Sequence, residues 1–135
     1  MNYYKLTFTF KKWHFQDGVK VAKTHEYQRV IEAENWHEAN KEAERIAFNN
    51  SEVDCKFVAG KKIEKGKIWE ISMDGTAHHN VYNREDMHKV MFVDALDMYD
   101  AEQIAYRRWE REVKEDGWND ISIYRTMVFE PKKKN

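Results

Sequence analysis

Apolar and polar residues alternate along residues 4–10, where Tyr4, Leu6, Phe8 and Phe10 interleave with Lys5, Thr7 and Thr9. A period of two with β-branched partners predicts a strand with one buried face and one wet face. Gln16-Asp17-Gly18 then supplies turn chemistry, since glycine accepts positive φ and aspartate bonds its own backbone. The chain returns through residues 27–33, where Tyr27, Ile31 and Ala33 share a side with Arg29, so a hairpin is the simplest arrangement. Asn35 has the chemistry of a helix N-cap, and Glu38 three residues on completes the pattern of a capping box. Beyond it, Trp36, Ala39, Ala43, Ile46 and Ala47 form one helical stripe, which Asn49-Asn50-Ser51 ends. Val53, Cys55 and Phe57 alternate again and predict a third strand.

The second half follows the same plan. Residues 68–73 read as a strand, Asp74-Gly75-Thr76 as a turn, residues 78–86 as a polar insertion and residues 90–95 as the end of a returning strand. Asp97 is placed to cap a second helix that buries Met98, Ala101, Ile104, Ala105, Trp109 and Val113. Gly117 is placed to end that helix in a left-handed conformation. Ile121, Ile123 and the aliphatic stem of Arg125 lead a last strand towards Phe129.

Laying residues 31–47 over residues 93–109 sets Ala33 on Ala95, Ala39 on Ala101, Ala43 on Ala105 and Arg45 on Arg107. The expected fold is therefore α+β: a tandem β-β-α-β repeat forming an antiparallel sheet with both helices on one face. It reads as a single domain of two pseudo-repeats, about residues 1–60 and 66–130, with a basic tail at 131–135. The shared pattern, a strand ending in x-Ala-x-Asn/Asp-x-x-Glu/Asp-Ala-x-x-x-Ala, resembles units of small phage and mobile-element proteins of unassigned function. The resemblance covers residues 31–47 and 93–109 and implies a phage or mobile-element origin. It brings no catalytic residues with it.

Composition narrows the function classes. Charged residues make up 35% of the chain, yet aromatics reach 14%, which disordered chains lack, so a folded domain with a charged surface is expected. The net charge of −1 gives no global attraction to nucleic acid or anionic membranes, and it excludes a uniformly acidic mimic of DNA. A lone cysteine, Cys55, cannot form an intramolecular disulfide and fits a reducing compartment. With no membrane-length apolar run and no signal-peptide-like start, a cytoplasmic location is expected.

Familiar reaction signatures are missing: no phosphate-cradling glycine loop, Gly-x-Ser-x-Gly elbow, His-Glu-x-x-His or Cys-x-x-Cys is present. No catalytic residue, cofactor or metal is therefore expected. Asp94, Asp97 and Asp100 have metal-like spacing, but acids at a helix start serve its cap and dipole. His78 and His79 are adjacent on an extended chain and point apart, while His25, His37 and His88 show no partner. Cys55 alternates with apolar neighbours and reads as core.

Two basic groups remain, Lys61, Lys62, Lys65 and Lys67 in one connection and Arg107, Arg108 and Arg111 along the second helix. They suit phosphates, with Tyr106 or Trp69 available to stack bases, but Glu110, Glu112 and Glu115 interleave with the arginines. Tyr99, Tyr106 and Trp118 lie off the predicted core stripes, as do Trp13 and Phe15. Exposed aromatics and arginines anchor protein interfaces. The expected function is a non-enzymatic protein that binds another protein, and the phage-like resemblance implies an accessory factor modulating a host or defence protein. The alternative is nucleic-acid or nucleotide binding through the basic clusters. Monomer and homodimer are both open.

Overall fold

The structure is a computed structural model that describes residues 2–80 and 82–130. It is α+β and divides into two compact units, Met1–Lys62 and Ile63–Asn135. The first contains β1 (Asn2–Gln16), β2 (Val19–Ala33), α1 (Trp36–Phe48) and β3 (Val53–Lys62). The second contains β4 (Lys67–His78), β5 (Arg84–Ala95), α2 (Met98–Glu115) and β6 (Asp120–Phe129). The basic tail expected at 131–135 lies outside the described residues.

In the first unit, Asp17 and Gly18 both have positive φ (52° and 77°), the backbone of a two-residue turn whose twist matches its flanking strands. The hairpin pairs without interruption from Gln16 opposite Val19 to Asn2 opposite Ala33. After α1 the chain returns beside β1, so the sheet order is β2-β1-β3, antiparallel throughout. β3 is shorter than the hairpin and pairs with β1 only from Lys62 opposite Tyr4 to Val53 opposite Lys11. Residues 12–16 and 19–23 thus continue as a two-stranded ribbon with no third strand in their sheet among the described residues.

Tyr4, Leu6, Phe8, Ile31 and Ala33 pack against Ala39, Ala43 and Ile46 of α1. Asn35 caps that helix, its Oδ1 accepting the Glu38 N–H at 2.9 Å. Trp36 departs from the expected buried stripe and stays 42% exposed, because it opens the helix at the sheet margin. There its ring leans on Tyr4 with centroids 5.3 Å apart, in space that a Cβ at Gly60 would occupy. Cys55 is half-buried beside the core, its Sγ 3.9 Å from the Tyr27 hydroxyl, whereas Val53 is exposed.

The second unit corrects one turn. Asp74-Gly75-Thr76 lies inside β4, which runs straight on to His78. The reversal comes after it, where the His79 N–H donates to the Asn83 carbonyl at 2.8 Å. Gly75 instead marks a bulge: Asp74 opposes Arg125 and Gly75 opposes Ile123, leaving Tyr124 as the extra residue. A Cβ at Gly75 would lie 3.0 Å from the Ser122 carbonyl oxygen, so glycine permits this close approach. The bulge also reverses the facing of β6. Ile121 and Ile123 are the more buried residues before it, and Thr126 and Val128 after it, leaving Arg125 exposed rather than leading its stem inward.

Asp97 caps α2, accepting the Asp100 N–H at 2.8 Å, and Ala101, Ile104, Ala105, Trp109 and Val113 are buried. Met98 is half-exposed, contrary to expectation, as the first residue of the helix. Gly117 has φ of 96°, its N–H reaches the Lys114 carbonyl at 3.1 Å, and the Trp118 N–H reaches the Val113 carbonyl at 2.9 Å. These paired bonds close the helix as a Schellman motif.

The expected single sheet with both helices on one face is replaced by two three-stranded sheets, the second ordered β5-β4-β6, each with its own helix. The reason is local: the strand after each helix returns to the first strand of its own hairpin, completing that ladder. Among the described residues, no helix is long and apolar enough to cross a membrane.

Ala39, Ala43, Ala101 and Ala105 are fully buried where each helix meets its sheet. Replacing Ala43 or Ala105 with Leu is expected to overpack the contact and destabilise the protein by about 1–3 kcal/mol, read as a lower midpoint in urea unfolding.

Candidate functional site

In an antiparallel sheet with one face covered, the other face is ordinarily polar. The second unit departs from that rule. On β4, Trp69, Ile71, Met73 and Ala77 are buried, and alternation sends Ile68, Glu70, Ser72, Asp74, Thr76 and His78 to the opposite face. The ladders set Glu70 between Phe92 and Phe129, and Ser72 between Val90 and Met127. Ile68 adds to the same end of the face, opposite Asp94. Phe92 is 62% exposed, Ile68 52%, Val90 and Phe129 44% each and Met127 40%. Five large apolar side chains therefore flank Glu70 on a regular, hydrogen-bonded platform, with the Asp94 carboxylate, which accepts the Gly66 N–H, at its margin beside Ile68. Such contiguous exposure marks an interaction surface more often than scattered single residues do.

The other end of this face is polar and cross-linked. His88 Nδ1 lies 2.7 Å from Asp74 Oδ1, and its Nε2 lies 3.5 Å from Ser72 Oγ. Thr76 donates to Asp86 at 2.8 Å, and His78 Nε2 meets Ser122 Oγ at 2.9 Å. The order Ser72–His88–Asp74 has the connectivity of a nucleophilic triad. However, Ser72 sits mid-strand and pairs on both sides, so its local amides belong to the ladders rather than to an oxyanion site. The arrangement fixes side chains across three strands, and His88 gains the partners that linear sequence does not reveal.

The basic residues singled out from sequence divide between the units. Lys61 and Lys62 are exposed on β3, opposite Lys5 and Tyr4, and Lys65 is exposed just before β4. On α2, Arg107 pairs with Glu110 at 3.0 Å and Arg111 with Glu115 at 3.9 Å. Arg108 donates to the Phe92 carbonyl at 3.2 Å, joining α2 to the edge strand β5. An open groove of about 440 Å³ is lined by Arg107, Glu110, Arg111, Lys114 and Glu115, where the two acids offset most of the basic field.

The aromatic residues have distinct settings. Tyr99 is half-exposed on the first turn of α2. The Tyr106 hydroxyl meets Thr126 Oγ1 at 2.9 Å and donates to Glu102, linking α2 to β6. Loss of hydration, followed by the bond to the Glu102 carboxylate, raises the Tyr106 pKa above the ordinary tyrosine value. Trp118 is half-buried and stacks on His79 with centroids 4.4 Å apart and planes at 10°. Asn119 donates to the His79 carbonyl at 2.6 Å through its side chain, fastening the β4–β5 reversal to the exit of α2. Among the described residues, no group of three or more His, Cys, Asp or Glu is placed to hold a metal ion.

Sequence reading missed the apolar platform. Its clearest signal is the consecutive run Val90-Met91-Phe92-Val93, since four apolar residues in a strand place apolar groups on both faces. Met127 and Phe129 reach the open face only because the Tyr124 bulge changes the phase of β6.

The raised Tyr106 pKa stabilises the folded state below the unfolded tyrosine value near 10, and that contribution is lost as pH rises through the folded value. Tyr106→Phe is expected to lose less stability than the parent chain between about pH 9 and 11, measured by urea unfolding across that range.

Compared with protein-family models, curated proteins and solved structures, the chain matches none.

Proposed function

We propose that this protein is a non-enzymatic binding factor that seats a partner protein on the open face of β5-β4-β6. The observation that carries this reading is the exposed apolar set Ile68, Val90, Phe92, Met127 and Phe129 around Glu70. The reading moves the emphasis from Tyr106 and Trp118, whose rings and hydroxyl already serve contacts within the unit, to strand residues that present their side chains outward.

The chemistry of the face also specifies its occupant. Burying Glu70 among apolar neighbours is costly unless a cation meets it, so the partner presents an apolar surface bearing a Lys or Arg. A second copy fits less well. A two-fold axis through the centre of the patch would bring Glu70 against its own counterpart, two like charges in a drying interface. The phage-like strand-to-helix pattern supports placing the protein among accessory factors that modulate a host or defence protein. The basic clusters at Lys61, Lys62, Lys65 and the α2 arginines support the alternative nucleic-acid or nucleotide reading less well, because carboxylates accompany the arginines.

The test is affinity capture from cells that naturally carry the gene, with nuclease present, comparing the parent chain with two double variants. A stoichiometric protein partner is expected to survive nuclease and Lys61→Glu/Lys62→Glu. It is expected to weaken at least about thirtyfold in Phe92→Ser/Phe129→Ser, the scale of lost interface anchors. Retention by the Phe92/Phe129 variant would refute the assignment, as would loss of every partner after nuclease.

A further inference from the structure

The β1–β2 hairpin outruns its sheet. From Lys12 opposite Lys23 to Gln16 opposite Val19, the pairs have no third strand in their sheet among the described residues. At roughly 3.4 Å per residue, these rungs extend the hairpin by about 15 Å past the end of β3. Residues 11–24 carry four lysines, Lys11, Lys12, Lys20 and Lys23, against one acid, Asp17 at the tip. The chain as a whole has a net charge of −1, so this concentration of positive charge is local. Lys11 is already paired with Asp54 at 3.5 Å, which leaves three lysines to define the ribbon's field.

Their placement points to an anionic ligand. Lys12 and Lys23 are direct cross-strand partners, and like charges opposite each other weaken a hairpin. The ribbon strands hold no carboxylate to offset them, since residues 11–16 and 19–24 contain neither Asp nor Glu. On the same side as this rung, His14 Nε2 and His25 Nε2 lie 3.0 Å apart, adding ring nitrogens rather than negative charge. The opposite side carries Trp13 and Phe15, 53% and 81% exposed, with Lys20 Nζ 4.9 Å from the centre of the Trp13 ring.

We propose that this ribbon is a nucleic-acid-binding arm that lies in the major groove of duplex DNA. A two-stranded ribbon fits that groove, which is about 12 Å wide and about 8.5 Å deep. With the Trp13 and Phe15 face turned to the base edges, Lys12 on one strand and Lys20 and Lys23 on the other stretch past the two edges of the ribbon to the phosphates of opposite groove walls, relieving the Lys12–Lys23 repulsion. The deep, narrow major groove of duplex RNA does not admit such an arm. A single strand favours a concave groove over a projecting ribbon. The arm and the apolar face of β5-β4-β6 involve different residues, so either assignment stands or falls without the other.

The test is fluorescence anisotropy of a short labelled DNA duplex titrated with the full chain at about 50 and about 200 mM salt. Single-stranded DNA and duplex RNA serve as competitors. Duplex DNA is expected to bind with strong salt dependence. Lys12→Glu/Lys20→Glu/Lys23→Glu is expected to weaken it at least about tenfold and to lower the log–log salt slope by about 2–3. Trp13→Ala is expected to weaken binding with the slope unchanged, and all variants are expected to keep the parent's circular dichroism spectrum. Absence of duplex binding, preference for either competitor, or a slope unaffected by the lysine reversals would overturn the proposal.

Discussion

The close seating of each helix on its own sheet, made possible by Ala39 and Ala43 in α1 and by Ala101 and Ala105 in α2, is the contact on which the architecture depends. A methyl group at these positions lets the helix backbone approach the strands, and larger residues such as Ile46, Ile104 and Trp109 fill the flanks. Asn35 and Asp97 set where each helix begins by accepting the first free amides. Each helix covers one face of three strands, and what the opposite face carries becomes a separate matter of sequence. In β4, β5 and β6 that face carries phenylalanine, valine, isoleucine and methionine.

Much of this is legible in the chain. Period-two alternation locates β1, Asp17-Gly18 locates its turn, and the two caps and Gly117 locate the helix ends, because each of these signals acts through neighbouring residues. Asp74-Gly75-Thr76 reads wrongly as a turn because the same glycine chemistry serves a turn or a close approach between strands. Only the non-local Ser122 carbonyl decides between them. The division into two sheets is likewise hidden, since strand pairing across a helix leaves no local mark.

The candidate surfaces are less legible than the fold. Phe129 and Met127 face outward because of the Tyr124 bulge, and a bulge shifts phase without any obligatory residue. Tyr106 and Trp118 look available in a helical and a turn context, but Thr126 and His79 engage them from distant positions. His88 acquires its partners Asp74 and Ser72 only through cross-strand register. In each case the decisive neighbour lies far along the chain, whereas charge and aromatic content are visible at once.

The most direct test of the binding-face assignment is photo-crosslinking inside cells that carry the gene, with a benzophenone amino acid in place of Phe92. The expected result is one dominant crosslinked species of a different protein, absent when the same photoreactive group replaces exposed Phe48 on α1. Crosslinking only to a second copy of the chain, equal capture from both positions, or no capture from position 92 would contradict it.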